Sequence, residues 1–215
     1  LLGGGTGVSP GRGRSRGGGT CGVNAAKLAT GIGAETTVLE LDSERMTWLD
    51  GILPAARTLY STEAALADLL PTTDLLVGAV LVPGARAPRL ISRELLRLMR
   101  KGTVFVDIAV DQGGCAETTR PTSHEAPTYV EEGVTHYCVF NMPGAYARTS
   151  TQALTSVTLP YIQALALGGV LEATRIHPEL RLGINCLDGK RTSEEVGGAH
   201  ELPWQEAAVG RDSRT

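Results

Sequence analysis

Aromatic residues are scarce in this chain: two Trp, two Phe and five Tyr make up 4% of 215 residues. A core here has to be assembled from Leu, Val, Ile and Ala. An excess of charge of one sign is also missing, since 20 basic and 23 acidic residues leave a net charge of −3. That gives no global field to draw in nucleic acid. No unbroken apolar run is long enough to span a bilayer, so no membrane partner is expected. The four cysteines (Cys21, Cys115, Cys138, Cys186) form neither a CxxC pair nor a compact framework. This excludes a disulfide scaffold and suits reduced, packed thiols in a cytoplasmic protein. His124, His136, His177 and His200 show no metal-ligand spacing, and no metal site is expected. The chain opens on Leu1 rather than Met with no signal-peptide pattern before it, and reads as the later part of something longer.

What is present is an alternation of apolar runs and helical periodicities. Residues 36–41 (TTVLEL), 57–60, 75–80 (LLVGAV), 104–110 and 135–139 read as strands. Helices are expected at 23–29, from a Ser43 cap through Leu49, from Thr62 through Leu70, and at 92–99 before the Lys101-Gly102 stop. This spacing predicts an α/β fold with a doubly wound parallel sheet. After Pro143-Gly144 the pattern turns helical, with Pro160 marking a kink or break and Gly168-Gly169 an end. Shorter helices are expected near 171–176 and 178–182. The predicted organisation is an aberrant Gly/Arg-rich segment at 1–16, a dinucleotide-binding domain at 17–145, a helical piece at 146–209 and a frayed tail at 210–215.

Two patterns carry chemistry. Gly17-Gly18-Gly19-Thr20-Cys21-Gly22 fits G-x-G-x-x-G at the start of a helix. Gly17 makes the turn, Gly19 lets backbone approach a pyrophosphate, and Gly22 allows close helix–strand packing, with helix amides facing the phosphates. Glu40 follows Gly22 by 18 residues at the end of the next strand, where an acid accepts from ribose hydroxyls and repels a 2′-phosphate. NAD is therefore favoured over NADP. The second pattern is the run Val104–Val106, Ile108, Val110, which stops at Asp111-Gln112-Gly113-Gly114. In open parallel sheets ligands bind beyond the carboxyl ends of the strands, so Asp111 stands where chemistry is placed.

One segment disagrees. The strand that should precede the glycine loop reads GRGRSR at 11–16, and Arg12, Arg14 and Arg16 would be buried there unpaired. Codons for these residues read one base later can give Gly-Glu-Val-Val-Val, an ordinary first strand, so a local frame shift is expected. An RG-rich nucleic-acid tail is the other reading, but the segment is too short for one and no nucleic-acid partner is expected.

With these pieces in place, the chain resembles the C-terminal part of the alanine dehydrogenase family, which includes the related subunit of nicotinamide nucleotide transhydrogenases. The resemblance covers residues 5–206. It is carried by GAVLVPGARAP (78–88), VDIAVDQGGCAETTRPTSHEAPTY (106–129) and HYCVFNMPGAYARTSTQALT (136–155), and RPTSHEAPTY favours the dehydrogenase. It implies a Rossmann-type domain that binds NAD, followed by a helical remnant of a substrate domain. The implied reaction is oxidative deamination of L-alanine to pyruvate and ammonia. Asp111 is the implied catalytic carboxylate. Thr20 and Cys21 belong to the pyrophosphate loop; Glu40, Arg45 and Ser61 to the adenosine side; Val80 and Leu81 to the nicotinamide ribose. Ile108, Ala109, Val110, Asp111, Arg120, Val139, Phe140, Asn141 and Met142 complete the implied cleft. The family's complete enzymes are homo-hexamers. Its substrate-binding Arg and Lys and its catalytic His lie on sequence with no counterpart here, so this chain is expected to be inactive alone. The alternatives are an NAD(H)-binding subunit of a transhydrogenase or split enzyme, and a non-catalytic remnant.

Overall fold

The computed structural model describes residues 1–82 and 87–207. Residues 83–86 of the GAVLVPGARAP segment and the expected tail at 210–215 lie outside them. The chain divides into two compact units, the second beginning after Met142.

The first unit is built on β1 (Arg12–Arg16), β2 (Glu35–Glu40), β3 (Arg57–Tyr60), β4 (Leu75–Gly78), β5 (Val104–Asp107), β6 (Thr128–Glu131) and β7 (Val134–Tyr137). They form one sheet in the order β3-β2-β1-β4-β5-β7-β6. Every neighbouring pair is parallel except β6–β7. The strand order reverses between β1 and β4, the switch point at which such sheets open a crevice. Val38 and Leu39 are adjacent, so their side chains leave opposite faces. Val38 packs with Val23 and Ala26 of α1 (Thr20–Gly31) and Leu49 of α2 (Ser43–Ile52). Leu39 packs with Leu66 of α3 (Glu63–Leu69), Leu96 of α4 (Arg93–Arg97), Leu76 and Phe105. The expected doubly wound α/β sheet is what the chain forms.

The Gly/Arg-rich stretch that was expected to stand in place of a first strand is itself a strand. Arg12–Arg16 pairs with β2 from Arg12↔Glu35 to Arg16↔Leu39, and with β4 from Gly13↔Leu75 to Arg16↔Gly78. Ladder hydrogen bonds use only backbone, so the position is filled despite the side chains. The guanidiniums are accommodated unequally. Arg12 pairs with Glu35 at 3.1 Å. Arg14, 3% exposed, donates to the Glu35 carbonyl at 2.9 Å, Thr37 Oγ1 at 3.0 Å and Glu35 Oε1 at 3.3 Å. Its Nε, together with Nε and Nη1 of Arg16, finds no partner among the described residues.

Other boundaries also differ from the sequence reading. The N-cap of α2 is Asp42, whose Oδ1 accepts from Glu44 and Arg45 N–H, and not Ser43. The run toward Asp111 is a strand only as far as Asp107, and residues Ile108–Gln112 form a 3-10 turn. The antiparallel strand β6 was not expected. It joins β7 through Glu132-Gly133, both at positive φ (52° and 77°), the geometry of a tight hairpin turn. Asn or Asp usually fills the first position. Glu132 is held there by Arg93 at 2.6 Å and Arg97 at 2.9 Å, and Arg93 also reaches Glu131.

Those guanidiniums, Arg97 foremost, hold the Glu132 carboxyl down to about 2. A depressed carboxylate contributes stability that is complete above the ordinary range near ~4.3 and is lost as pH falls through the folded value. Glu132→Gln is therefore expected to unfold more easily than the parent at pH 7. The difference should shrink below about pH 4.3 and vanish near pH 2, as read by urea unfolding across pH.

In the second unit, α5 (Ala147–Ile176) contains Pro160 without breaking. Gly169, at φ 67° and ψ −174°, is the break instead, so the interruption falls at the expected Gly pair and not at the proline. A 3-10 segment follows at Pro178–Gly183, then an unexpected hairpin of β8 (Cys186–Leu187) and β9 (Lys190–Arg191), and α6 (Glu194–Ala199). The helical stretch Met142–Ile176 is long and apolar enough, by length and composition alone, to cross a membrane. It is not an unbroken apolar run, because Ser, Thr and Gln punctuate a segment that carries no charge between Arg148 and Glu172.

Candidate functional site

Six parallel strands end on the same edge of the sheet, and the residues singled out in the sequence follow those ends. Gly17 to Gly22 follow β1, Glu40 closes β2, Ser61 follows β3, Val80 and Leu81 follow β4, Ile108 to Asp111 follow β5, and Val139 to Met142 follow β7.

Around the switch point this edge holds a cleft of about 630 Å³. Gly17, Gly19, Thr20, Cys21, Glu40, Ser61, Val80 and Leu81 all line it, as does Arg16. The glycine loop needs its glycines. Gly17 sits at φ 104°, and a Cβ on Gly22 would fall 1.8 Å from the Gly17 carbonyl oxygen. Gly22 therefore packs α1 against the loop and does not face the cleft. The N-cap, Gly19, provides no side-chain cap to α1, which leaves the first helix amides for a ligand.

Glu40 is pinned where a ribose would meet it. Its Oε2 accepts from Gly18 N at 2.7 Å, and its Oε1 accepts from Leu41 N at 2.7 Å and Asp42 N at 3.3 Å. A carboxylate has about four acceptor sites, so capacity remains for a hydroxyl donor. The Glu40 carbonyl accepts from Ser61 N at 2.8 Å, which holds Ser61 alongside. Arg45 does not line the cleft. Its Nε donates to the Gly18 carbonyl at 2.8 Å and its guanidinium lies 3.9 Å over Trp48, bracing the loop from outside.

The remaining residues gather around β5 and β7. Asp111 is exposed, with Oδ1 accepting from Asn141 N at 2.9 Å. The Asn141 carbonyl lies 3.2 Å from His124 Nε2. Ala109, Val110 and Val139 are buried and supply backbone and packing, whereas Phe140 is exposed. Ile108 opens the 3-10 turn and Met142 opens another after β7. The Arg120 guanidinium stacks 3.8 Å above Tyr129, whose hydroxyl accepts from Arg120 N and donates to the Thr118 carbonyl. Burial pushes the Tyr129 hydroxyl up and pulls His136, whose ring stacks on Tyr129, down.

Sequence reasoning missed Asp107. It is fully buried and accepts from Ala109 N, Cys115 N, Cys115 Sγ and Thr119 Oγ1. Burial, and then Asp107, push the Cys115 thiol up, so it stays a packed, neutral group. The available signal was the single polar position inside VFVDIAV. Among the described residues no group of three His, Cys, Asp or Glu is placed to hold a metal.

The family model "Alanine dehydrogenase/PNT, C-terminal domain" matches residues 1–194. Alanine dehydrogenase of Halomonas elongata is 51% identical over 209 residues, spanning 97% of this chain and 56% of the relative. Alanine dehydrogenase of Geobacillus stearothermophilus is 48% identical over 206 residues, with 95% and 55% covered. A solved L-alanine dehydrogenase superposes with a TM-score of 0.83 at 45% identity, over 94% of this chain and 56% of that one. A transhydrogenase from Sinorhizobium meliloti, at 23% identity and TM-score 0.67, shares the fold. The chain thus spans somewhat more than half the length of the curated relatives it matches.

Proposed function

The chain belongs to the alanine dehydrogenase/PNT C-terminal domain family, and from that premise we propose that it binds NAD(H) and serves the oxidative deamination of L-alanine to pyruvate and ammonia. The observation that carries this reading is Glu40. Its carboxylate is tied to the glycine loop through Gly18 N at 2.7 Å and lines the same cleft as Thr20, Cys21 and Ser61. The cleft also fits the cofactor on its own evidence: a loop that tolerates no Cβ at Gly22, and helix amides left uncapped.

In this proposal the α1 amides at Thr20 and Cys21 hold the diphosphate, and Glu40 and Ser61 hold the adenosine ribose. Val80 and Leu81 bound the nicotinamide side. The cofactor, when bound, supplies hydride acceptance at its nicotinamide ring. Asp111, held by the Asn141 amide in the 3-10 turn that follows the end of β5, would orient the substrate amino group and take its proton. Arg120, held flat by Tyr129, adds positive charge at that end. A homo-oligomer belongs to the same reading and is supported by exposed apolar side chains along α5, such as Val157, Ile162 and Leu165. A cytoplasmic setting suits the four free thiols.

Glu40→Ala tests the assignment. It removes a charged acceptor, a change worth about 1.5–3 kcal/mol, so NADH affinity is expected to fall by roughly 10- to 150-fold in a fluorescence titration. The preference for NADH over NADPH should shrink with it. Unchanged NADH affinity would remove Glu40, and the adenosine half of the proposal, from the site.

A further inference from the structure

Arg14 and Arg16 leave β1 on the same face, but only Arg14 has found partners there. Arg16 is 7% exposed, its Nε and Nη1 are buried without a hydrogen-bond partner among the described residues, and it lines the cleft at the head of α1. Orphaned guanidinium nitrogens at such depth are costly. Burial pulls the group below its ordinary range, with Cys115 and Glu63 the neighbours that oppose the fall. The carboxylate that shares the cleft, Glu40, is committed to Gly18, Leu41 and Asp42 N–H groups. Two sources of positive potential, the uncapped N-terminus of a 12-residue helix and Arg16, thus both border the cleft.

We propose that Arg16 is a phosphate-binding residue, its free guanidinium donors reaching a diphosphate ester seated on the glycine loop. The proposal rests on the nucleotide reading of the cleft and adds to it. A glycine loop alone binds phosphate through amides and dipole; here a charged fork supplements them, and a planar guanidinium matches phosphate geometry in a way an ammonium does not. The unliganded protein then carries an unpaired buried charge that the ligand satisfies, so stability and affinity should move in opposite directions on its removal.

Calorimetric titration of the full chain with ADP and with adenosine, for the parent, Arg16→Met and Arg16→Lys, tests this. Arg16→Met is expected to melt at a higher temperature than the parent without ligand. Its ADP affinity should fall by about tenfold or more, and the loss should be confined to the phosphate-bearing ligand. Arg16→Lys should recover part of the ADP affinity. If Arg16→Met binds ADP as tightly as the parent, the proposal is overturned while the nucleotide cleft stands. Equal losses for ADP and adenosine would also overturn it, since that pattern marks a reshaped cleft and not a lost phosphate contact. A parent chain that binds neither NADH nor ADP would overturn both this proposal and the reading it rests on.

Discussion

Asp107→Ala is expected to destabilise the first unit by about 4 kcal/mol, a large part of the 5–15 kcal/mol that holds a domain together. The side chain is fully buried at the end of β5. It accepts from Ala109 N at 3.0 Å, Cys115 N at 2.9 Å and Thr119 Oγ1 at 2.5 Å, with Cys115 Sγ at 3.4 Å. Truncation strands two backbone amides and a hydroxyl away from water. Each stranded donor costs about 1–3 kcal/mol. The fold cannot relax cheaply, because Gly114 on the same loop sits at φ 79° with Thr119 and Asp107 against it. The damage also extends to function. The 3-10 turn that carries Asp111 and the loop that leads to Arg120 are both fastened by this carboxylate. Urea unfolding measures the effect, and a loss below 1 kcal/mol would mean that these amides find other acceptors.

The opposite sign is expected for Gly13→Val combined with Arg14→Val. Gly13 faces α1, where a Cβ would meet Ala29 Cβ at an ordinary 3.6 Å. Beyond it lies an apolar cavity of about 440 Å³ lined by Ala26, Ala29, Ile32, Leu75 and Val77. Valine there fills space, worth about 0.5–2 kcal/mol. At the next position the substitution removes a guanidinium whose Nε is buried and unpaired. Exchanging buried ionic groups for apolar ones is often neutral or stabilising by up to about 4 kcal/mol. The Arg14 partner Glu35 is itself half exposed and keeps Arg12. A gain of about 2–4 kcal/mol corresponds to a rise in Tm of roughly 5–15 °C for a chain of this size. Scanning calorimetry reads it directly. A fall in Tm would mean that Arg12–Arg16 is not the central strand.

These two predictions mark where sequence and structure part. The glycine loop was legible because backbone geometry dictates it: a Cβ at Gly22 collides with Gly17, and Glu40 closes β2 and lines the cleft beside that loop. The strand at 104–107 was legible as an apolar run, but its end was not. Apolar residues continue through the following 3-10 turn, so Asp107 passed as one polar position inside a run, and Asp111 took its place as the strand-end carboxylate. The first strand was read as aberrant because RGRSR matches no strand composition. Pairing on both sides by β2 and β4 overrides side-chain preference there. β6 was invisible because its turn, Glu132-Gly133, lacks an Asn or Asp and relies on Arg93 and Arg97, which are distant in sequence. The α5 break fell at Gly169 rather than Pro160, because a glycine can reach φ 67° while a proline in a helix gives up only one hydrogen bond and can be accommodated.

The central claim is that the edge of this sheet holds NAD(H) with its adenosine ribose on Glu40. Its most direct test is a titration of the unmodified chain with NADH, followed by nicotinamide fluorescence, with NADPH as the parallel ligand. The account predicts saturable binding of NADH and at least about tenfold weaker binding of NADPH, because a 2′-phosphate would meet the Glu40 carboxylate. Absence of saturable NADH binding, or equal affinity for the two, would contradict it.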